Sequence, residues 1–157
     1  QLQGIHAFKM KDVVNEDKYC VNALNKEIQY LVSFDIDRLL AGFRETAGLD
    51  MKGKTRYEGW ENMLIGGHTM GHYLAAMAQA YSNPGVLADD KLKIKSMTET
   101  IIDELLICQV NSKGQPGFIF GATLNDMSNV ESQFDYVEEG KTDIFKESWV
   151  PWYTMHY

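Results

Sequence analysis

Apolar residues recur at spacings of three and four through most of the first 110 positions, and that period selects helices as the elements that bury them. Cys20, Leu24, Ile28 and Leu31 share one face; Ile36, Leu39, Leu40 and Phe43 share another; Ile94, Met97, Ile101, Leu105 and Cys108 form a third. Asn15 is placed to cap a first helix running to about Val32, and Asp35 to cap a second over 36–47 that Gly48 stops. A third helix over 67–82 ends in the turn chemistry of Asn83-Pro84-Gly85, and a fourth covers 88–110. Short links make the helices antiparallel neighbours, so the chain reads as two αα-hairpins. Around them, residues 1–12 alternate like an extended lead-in or edge strand, and Phe118-Ile119-Phe120 suits a brief strand or packed loop. Residues 123–147 read as a helical turn followed by an acidic loop, and Pro151 fits the first position of one more helix. The expected fold class is all-α, a single domain over 1–157 with long loops and little strand.

A net charge of −7 excludes a basic nucleic-acid footprint. Most of the excess lies in 125–147, where seven acids face Lys141 and Lys146; without calcium-loop spacing this is a solvated acidic stretch. Cys20 and Cys108 both fall on apolar helix faces, which predicts buried free thiols rather than a disulfide or metal pair. No run approaches the ~20 apolar residues of a membrane span. The chain begins at Gln1, and a periplasmic or secreted location fits if a leader precedes it.

The chemistry concentrates on the third helix, Gly66-Gly67-His68-Thr69-Met70-Gly71-His72-Tyr73-Leu74. His68 and His72, four apart, share a face above Ala75, Ala76 and Gln79, whereas Met70, Leu74, Met77 and Tyr81 form an apolar stripe. One face belongs to the core; the other reads as a cavity wall. His68 at the first turn stands beside backbone N–H groups that a helix start leaves open, a setting that favours neutral imidazole and attracts hydroxyl oxygens. As metal ligands the two histidines fall short: Thr69 stands where a zinc protease carries glutamate, and two ligands do not complete a site.

Before this helix lies a long connection, 48–66, carrying Tyr57, Glu58, Trp60 and Glu61. An indole beside carboxylates suits sugar stacking and hydroxyl bonding, although an anchoring tryptophan beside solvated acids explains the same residues equally well. Tyr153 and His156 repeat the pairing of an aromatic ring with an imidazole. Phosphate loops, dinucleotide fingerprints, nucleophile elbows and CxxC sites are absent from the sequence.

Several stretches together resemble one family. Asp35-Ile36-Asp37-Arg38-Leu39-Leu40, Phe43-Arg44, Gly59-Trp60-Glu61 and the histidine helix are followed by Cys108-Gln109, Gly117-Phe118-Ile119-Phe120 and Trp149-Val150-Pro151-Trp152-Tyr153-Thr154-Met155-His156. This series, spanning about residues 30–157, is similar to the N-terminal part of glycoside hydrolase family 127 and its relative family 146, the β-L-arabinofuranosidases. The resemblance implies an (α/α)6 barrel whose opening hairpins this chain supplies. It also implies retaining hydrolysis of β-L-arabinofuranosides of plant glycans by a cysteine nucleophile at a zinc site with a glutamate acid/base. Neither Cys20 nor Cys108 sits in a matching motif, so those catalytic groups and the zinc are expected outside the chain, with no cofactor within it. Trp60, Glu61, His68, His72, Tyr153 and His156 are the positions expected to line the sugar site.

On that reading the chain is an N-terminal fragment, inactive alone, whose partners are carbohydrate and the rest of its polypeptide, with self-association of exposed faces. The alternatives are a non-catalytic helical module that binds glycan or protein, and a small zinc protein using His68 and His72.

Overall fold

Asp35 starts a helix by accepting the amides of Asp37 and Arg38 on Oδ1, as an N-cap should. This computed structural model describes residues 4, 6–113, 115–123, 130, 134–150 and 153. In chain order the helices are α1 (Lys18–Leu31), α2 (Ile36–Thr46), α3 (His68–Ser82), α4 (Ala88–Val110), α5 (Asp135–Glu138) and α6 (Asp143–Glu147), with 3-10 turns at Met10–Asp12 and Gly59–Asn62. The described residues contain no strand, and the fold is all-α. None of their helices is long and apolar enough to cross a membrane.

The chain divides into two compact units, Gln1–Phe34 with Leu74–Thr98, and Asp35–Tyr73 with Glu99–Tyr157. The division falls inside α3 and α4, so each contributes one half to either unit.

In the first unit α1 begins two residues later than Asn15 would cap it. Asp17 is the cap, its Oδ1 accepting from Tyr19 and Cys20 N–H, while Asn15 Oδ1 instead accepts from the amide of Asp17. Ile28 and Leu31 are buried, but Leu24 is only half-buried and Cys20 is exposed, so the expected buried thiol at Cys20 is wrong. Cys20 and Leu24 do share a face, and it lines an open pocket of about 250 Å³ together with Met10, Val13 and Asn83 rather than a closed core. A groove of about 210 Å³ runs beside Leu24, Ile28 and Leu31, with Ala76, Gln79 and Ala80 of α3 also lining it. Met77, Ala80, Val86 and Ile94 are the other buried apolar residues described in this unit. Residues 10–12 form a 3-10 turn rather than an edge strand.

The second unit is organised on α2, whose Leu39, Leu40, Ala41 and Phe43 are buried, as is Ala47 at its C-cap. Gly48, at φ 69°, stops the helix: its N–H bonds to Glu45 O, and that of Leu49 reaches back to Arg44 O, the paired closure of a Schellman motif. The connection 48–66 is fastened to α2 throughout. Arg38 donates to Thr55 O and Arg56 O, Lys54 pairs with Asp35 at 2.7 Å, and Arg56 grips Glu45 Oε2. Tyr57 is half-buried; its hydroxyl accepts from the Asp35 amide and its ring lies 4.2 Å below the Arg38 guanidinium.

From α3 this unit buries Met70 and Tyr73, and from α4 Ile101 and Cys108. Burial, with Tyr57 nearby, pushes the Tyr73 phenol up to about 12. Along the whole of α3 the buried positions are Met70, Tyr73, Met77 and Ala80, whereas Leu74 is half-buried and Tyr81 47% exposed. The apolar stripe is thus rotated from the expected one, because alanines and glycine on every side of this helix leave its pattern weakly directional. Phe118-Ile119-Phe120 is a packed loop, with Phe118 and Phe120 in ring contact with Phe134. The acidic stretch holds α5 and α6 where a loop was expected, and Asp135, Glu138, Glu139 and Asp143 remain solvated. Pro151 and the helix it was expected to begin lie outside the described residues.

Candidate functional site

The start of α3 is set by two glycines that no other residue could replace cheaply. A Cβ on Gly66 would stand 2.7 Å from both the Arg56 guanidinium and Glu61 O. Gly67 has φ 92° and packs its backbone against Gly121. Arg56 also donates to the Gly121 carbonyl, so one half-buried guanidinium ties α2, the loop and the 118–122 segment together beneath the helix start. Sequence reading missed this node. Its one signal was Gly42 in mid-α2, where a glycine implies close approach; a Cβ there would meet Arg56 Nη1 at 2.5 Å.

Glu61, from the Gly59–Asn62 turn, bonds the amides that an isolated helix start would leave open. Its Oε2 accepts from Gly67 N–H and its Oε1 from Thr69 N–H, each at 2.8 Å. The amides of His68 and Met70 bond to Ile65 O and Gly67 O. The expectation of open N–H groups beside His68 is therefore corrected: a carboxylate of the chain already occupies the position that an external anion or hydroxyl would take.

His68 is half-buried and His72 exposed. Their rings meet edge to face at a centroid separation of 4.6 Å, and the Tyr153 ring lies 5.4 Å from that of His68. Three of the six expected site residues are thereby assembled. Trp60, 65% exposed, presents its indole to solvent one residue from the Glu61 strap. His156 lies outside the described residues. Ala75 is exposed, whereas Ala76 and Gln79, expected to continue the histidine wall, line the α1 groove of the other unit.

The family model described as beta-L-arabinofuranosidase, GH127 catalytic domain, matches residues 12–157. The chain belongs to the GH127 catalytic-domain family. A comparison with curated proteins found no match. GH127 domains are of the (α/α)6 barrel type, in keeping with the helical fold, and as glycoside hydrolase domains they take carbohydrate as substrate.

The Cys108 thiol of this GH127 chain is poorly suited to nucleophilic work. Cys108 is 2% exposed, and burial pushes its pKa up, away from the thiolate form that attacks. Cys20 is exposed. Nor do the described residues fit zinc: no group of three or more His, Cys, Asp or Glu among them could hold a metal ion, and His68 with His72 falls short of a complete ligand set.

Proposed function

We propose that residues 1–157 supply part of the sugar-binding wall of a retaining β-L-arabinofuranosidase acting on plant-glycan sugars, and that the nucleophilic cysteine and the glutamate acid/base come from outside these residues. The observation that carries the reading is the cluster of His68, His72 and Tyr153 rings at the start of α3. An imidazole both accepts and donates hydrogen bonds, which matches a furanose hydroxyl, and an aromatic ring covers the less polar face of the sugar. Trp60 offers a solvent-facing plate for an adjoining residue of the glycan. His156 joins the set by its place in the sequence.

In a retaining reaction the enzyme nucleophile attacks the anomeric carbon from the face opposite the leaving group, which departs protonated, and water then displaces the enzyme from the face the leaving group vacated, so two inversions give retention. The contribution of this chain is to hold the ring hydroxyls while the anomeric centre flattens, through contacts that strengthen in the transition state. The raised pKa of Cys108 supports a nucleophile from elsewhere.

The test is hydrolysis of an aryl β-L-arabinofuranoside by the full protein, with the first-formed anomer followed by NMR. Release of the β-anomer supports the proposal, and release of the α-anomer contradicts retention. Residues 1–157 alone should bind the sugar without turnover. Binding without turnover by the full protein would favour the non-catalytic glycan-binding module instead.

A further inference from the structure

Glu61 grips α3 in a way that substrate binding alone would not require. Its two oxygens take separate amides, those of Gly67 and Thr69, and the residue between these two is His68. The Thr69 amide lies in the peptide plane that follows His68, the plane before His68 carries its own N–H, bonded to Ile65 O, and the Gly67 amide anchors the plane one further back, so the three bonds together set the direction of the His68 Cα–Cβ bond. Slippage on the far side is blocked by Gly121, whose Cα would lie 3.0 Å from a Cβ on Gly67. From this clamped backbone the imidazole projects to His72 and Tyr153, with ring centroids at 4.6 and 5.4 Å.

The strap spans more sequence than an ordinary cap. A capping side chain usually bonds amides two or three residues on, whereas Glu61 reaches Gly67 and Thr69, six and eight residues away. It therefore joins the Gly59–Asn62 turn, and the exposed indole of Trp60 on it, to the start of the histidine helix. Its charge also sits where the helix's partial positive charge is greatest.

We propose that Glu61 is a positioning residue of the sugar site: it acts through His68, fixing the imidazole relative to His72 and Tyr153, and does not itself contact the sugar. The proposal rests on the reading of His68 as a sugar-contacting group, and it changes the role expected of Glu61 from liner to strap.

The test compares Glu61→Gln and Glu61→Ala in the full protein, each alone and combined with His68→Ala. An aryl β-L-arabinofuranoside is the kinetic probe, and the His68 ring signals in heteronuclear NMR are the structural one. Both Glu61 variants should displace the ring signals, Ala more than Gln, because the glutamine carbonyl can still accept one amide. Each should lower kcat/KM by about 10-fold when His68 is present and by less than about 2-fold when it is absent, since effects transmitted through one residue do not add. Equal losses in both backgrounds, or unmoved ring signals in a folded variant, overturn the proposal. If Glu61→Ala does not fold, Glu61→Gln carries both readouts. An unchanged rate in His68→Ala alone would instead defeat the sugar-site reading, and the ring signals would still decide whether Glu61 sets the imidazole.

Discussion

Gly121 and Gly67 cross backbone to backbone: a Cβ on Gly121 would stand 2.7 Å from Gly67 Cα and 2.8 Å from Gly66 O. This crossing is what seats the histidine helix on the 118–122 segment, and neither partner is a flexible side chain that could swing aside.

Gly121→Ala should therefore destabilise the protein by about 2 kcal/mol, the usual range for forcing a methyl group into a filled site. Thermal unfolding measures the loss. Because the displaced backbone is that of Gly67, the same variant should also move the His68 ring signals.

A second prediction concerns a charge inside the second unit. The Arg44 side chain is 2% exposed, and its guanidinium bonds Glu104 Oε2 at 2.6 Å and Asp37 Oδ1 at 2.7 Å, with Lys52 on the other Glu104 oxygen at 2.8 Å. Glu104→Ala leaves a buried cation with one carboxylate, and should cost about 3 kcal/mol. Exchanging the exposed ion pair Lys146–Asp143 for alanines should cost less than about 0.5 kcal/mol. Chemical denaturation of both variants would show the contrast.

Glu104 of this network and the separate Asp35–Lys54 pair set an acid dependence. Glu104 is held below its ordinary value of 4.5, first by the hydrogen bond from Lys52 and then by Arg44, and Asp35 is held below 3.8, first by Lys54. Each folded pKa lies under its unfolded one, so on unfolding in acid these groups take up protons. Their stabilisation is complete above the unfolded values and is lost as the pH falls through the lower folded ones. The melting temperature should decline below about pH 4.5, and less steeply in Glu104→Gln, which has nothing to titrate at that position.

Thiol labelling gives a fourth. Cys20 is exposed and Cys108 buried with its pKa raised. A disulfide reagent at neutral pH should modify Cys20 at once and Cys108 only on unfolding. Prompt modification of both in the folded protein would place Cys108 in a different environment.

Helix ends were legible where local chemistry decides them. Asp35 and Gly48 bound α2 as read, and α4 spans the residues its period indicated, because caps and stops act within a few residues. Asn15 was the wrong cap for α1 since two Asx residues stood close together, and only the turn made by Asn15 on Asp17 N–H separates them. Exposure was less legible. Periodicity says which residues share a face, as for Cys20, but not whether anything covers it.

At the site, the i,i+4 spacing of His68 and His72 carried their contact directly, and Tyr153 was marked both by its pairing with His156 and by the motif resemblance. The role of Glu61 was hidden because its partners lie six and eight residues away across a loop whose course depends on Arg56 and the glycines around it. Side chains that act through folded loops leave no periodic trace in a sequence.

The most direct measurement is kcat/KM of the full protein and its His68→Ala variant on an aryl β-L-arabinofuranoside, with folding verified by thermal melting. The account predicts hydrolysis by the wild type and a loss of about 100-fold in the variant with the melting temperature nearly unchanged. Wild-type and variant rates within a factor of about two of each other would contradict the placement of the sugar at the head of α3.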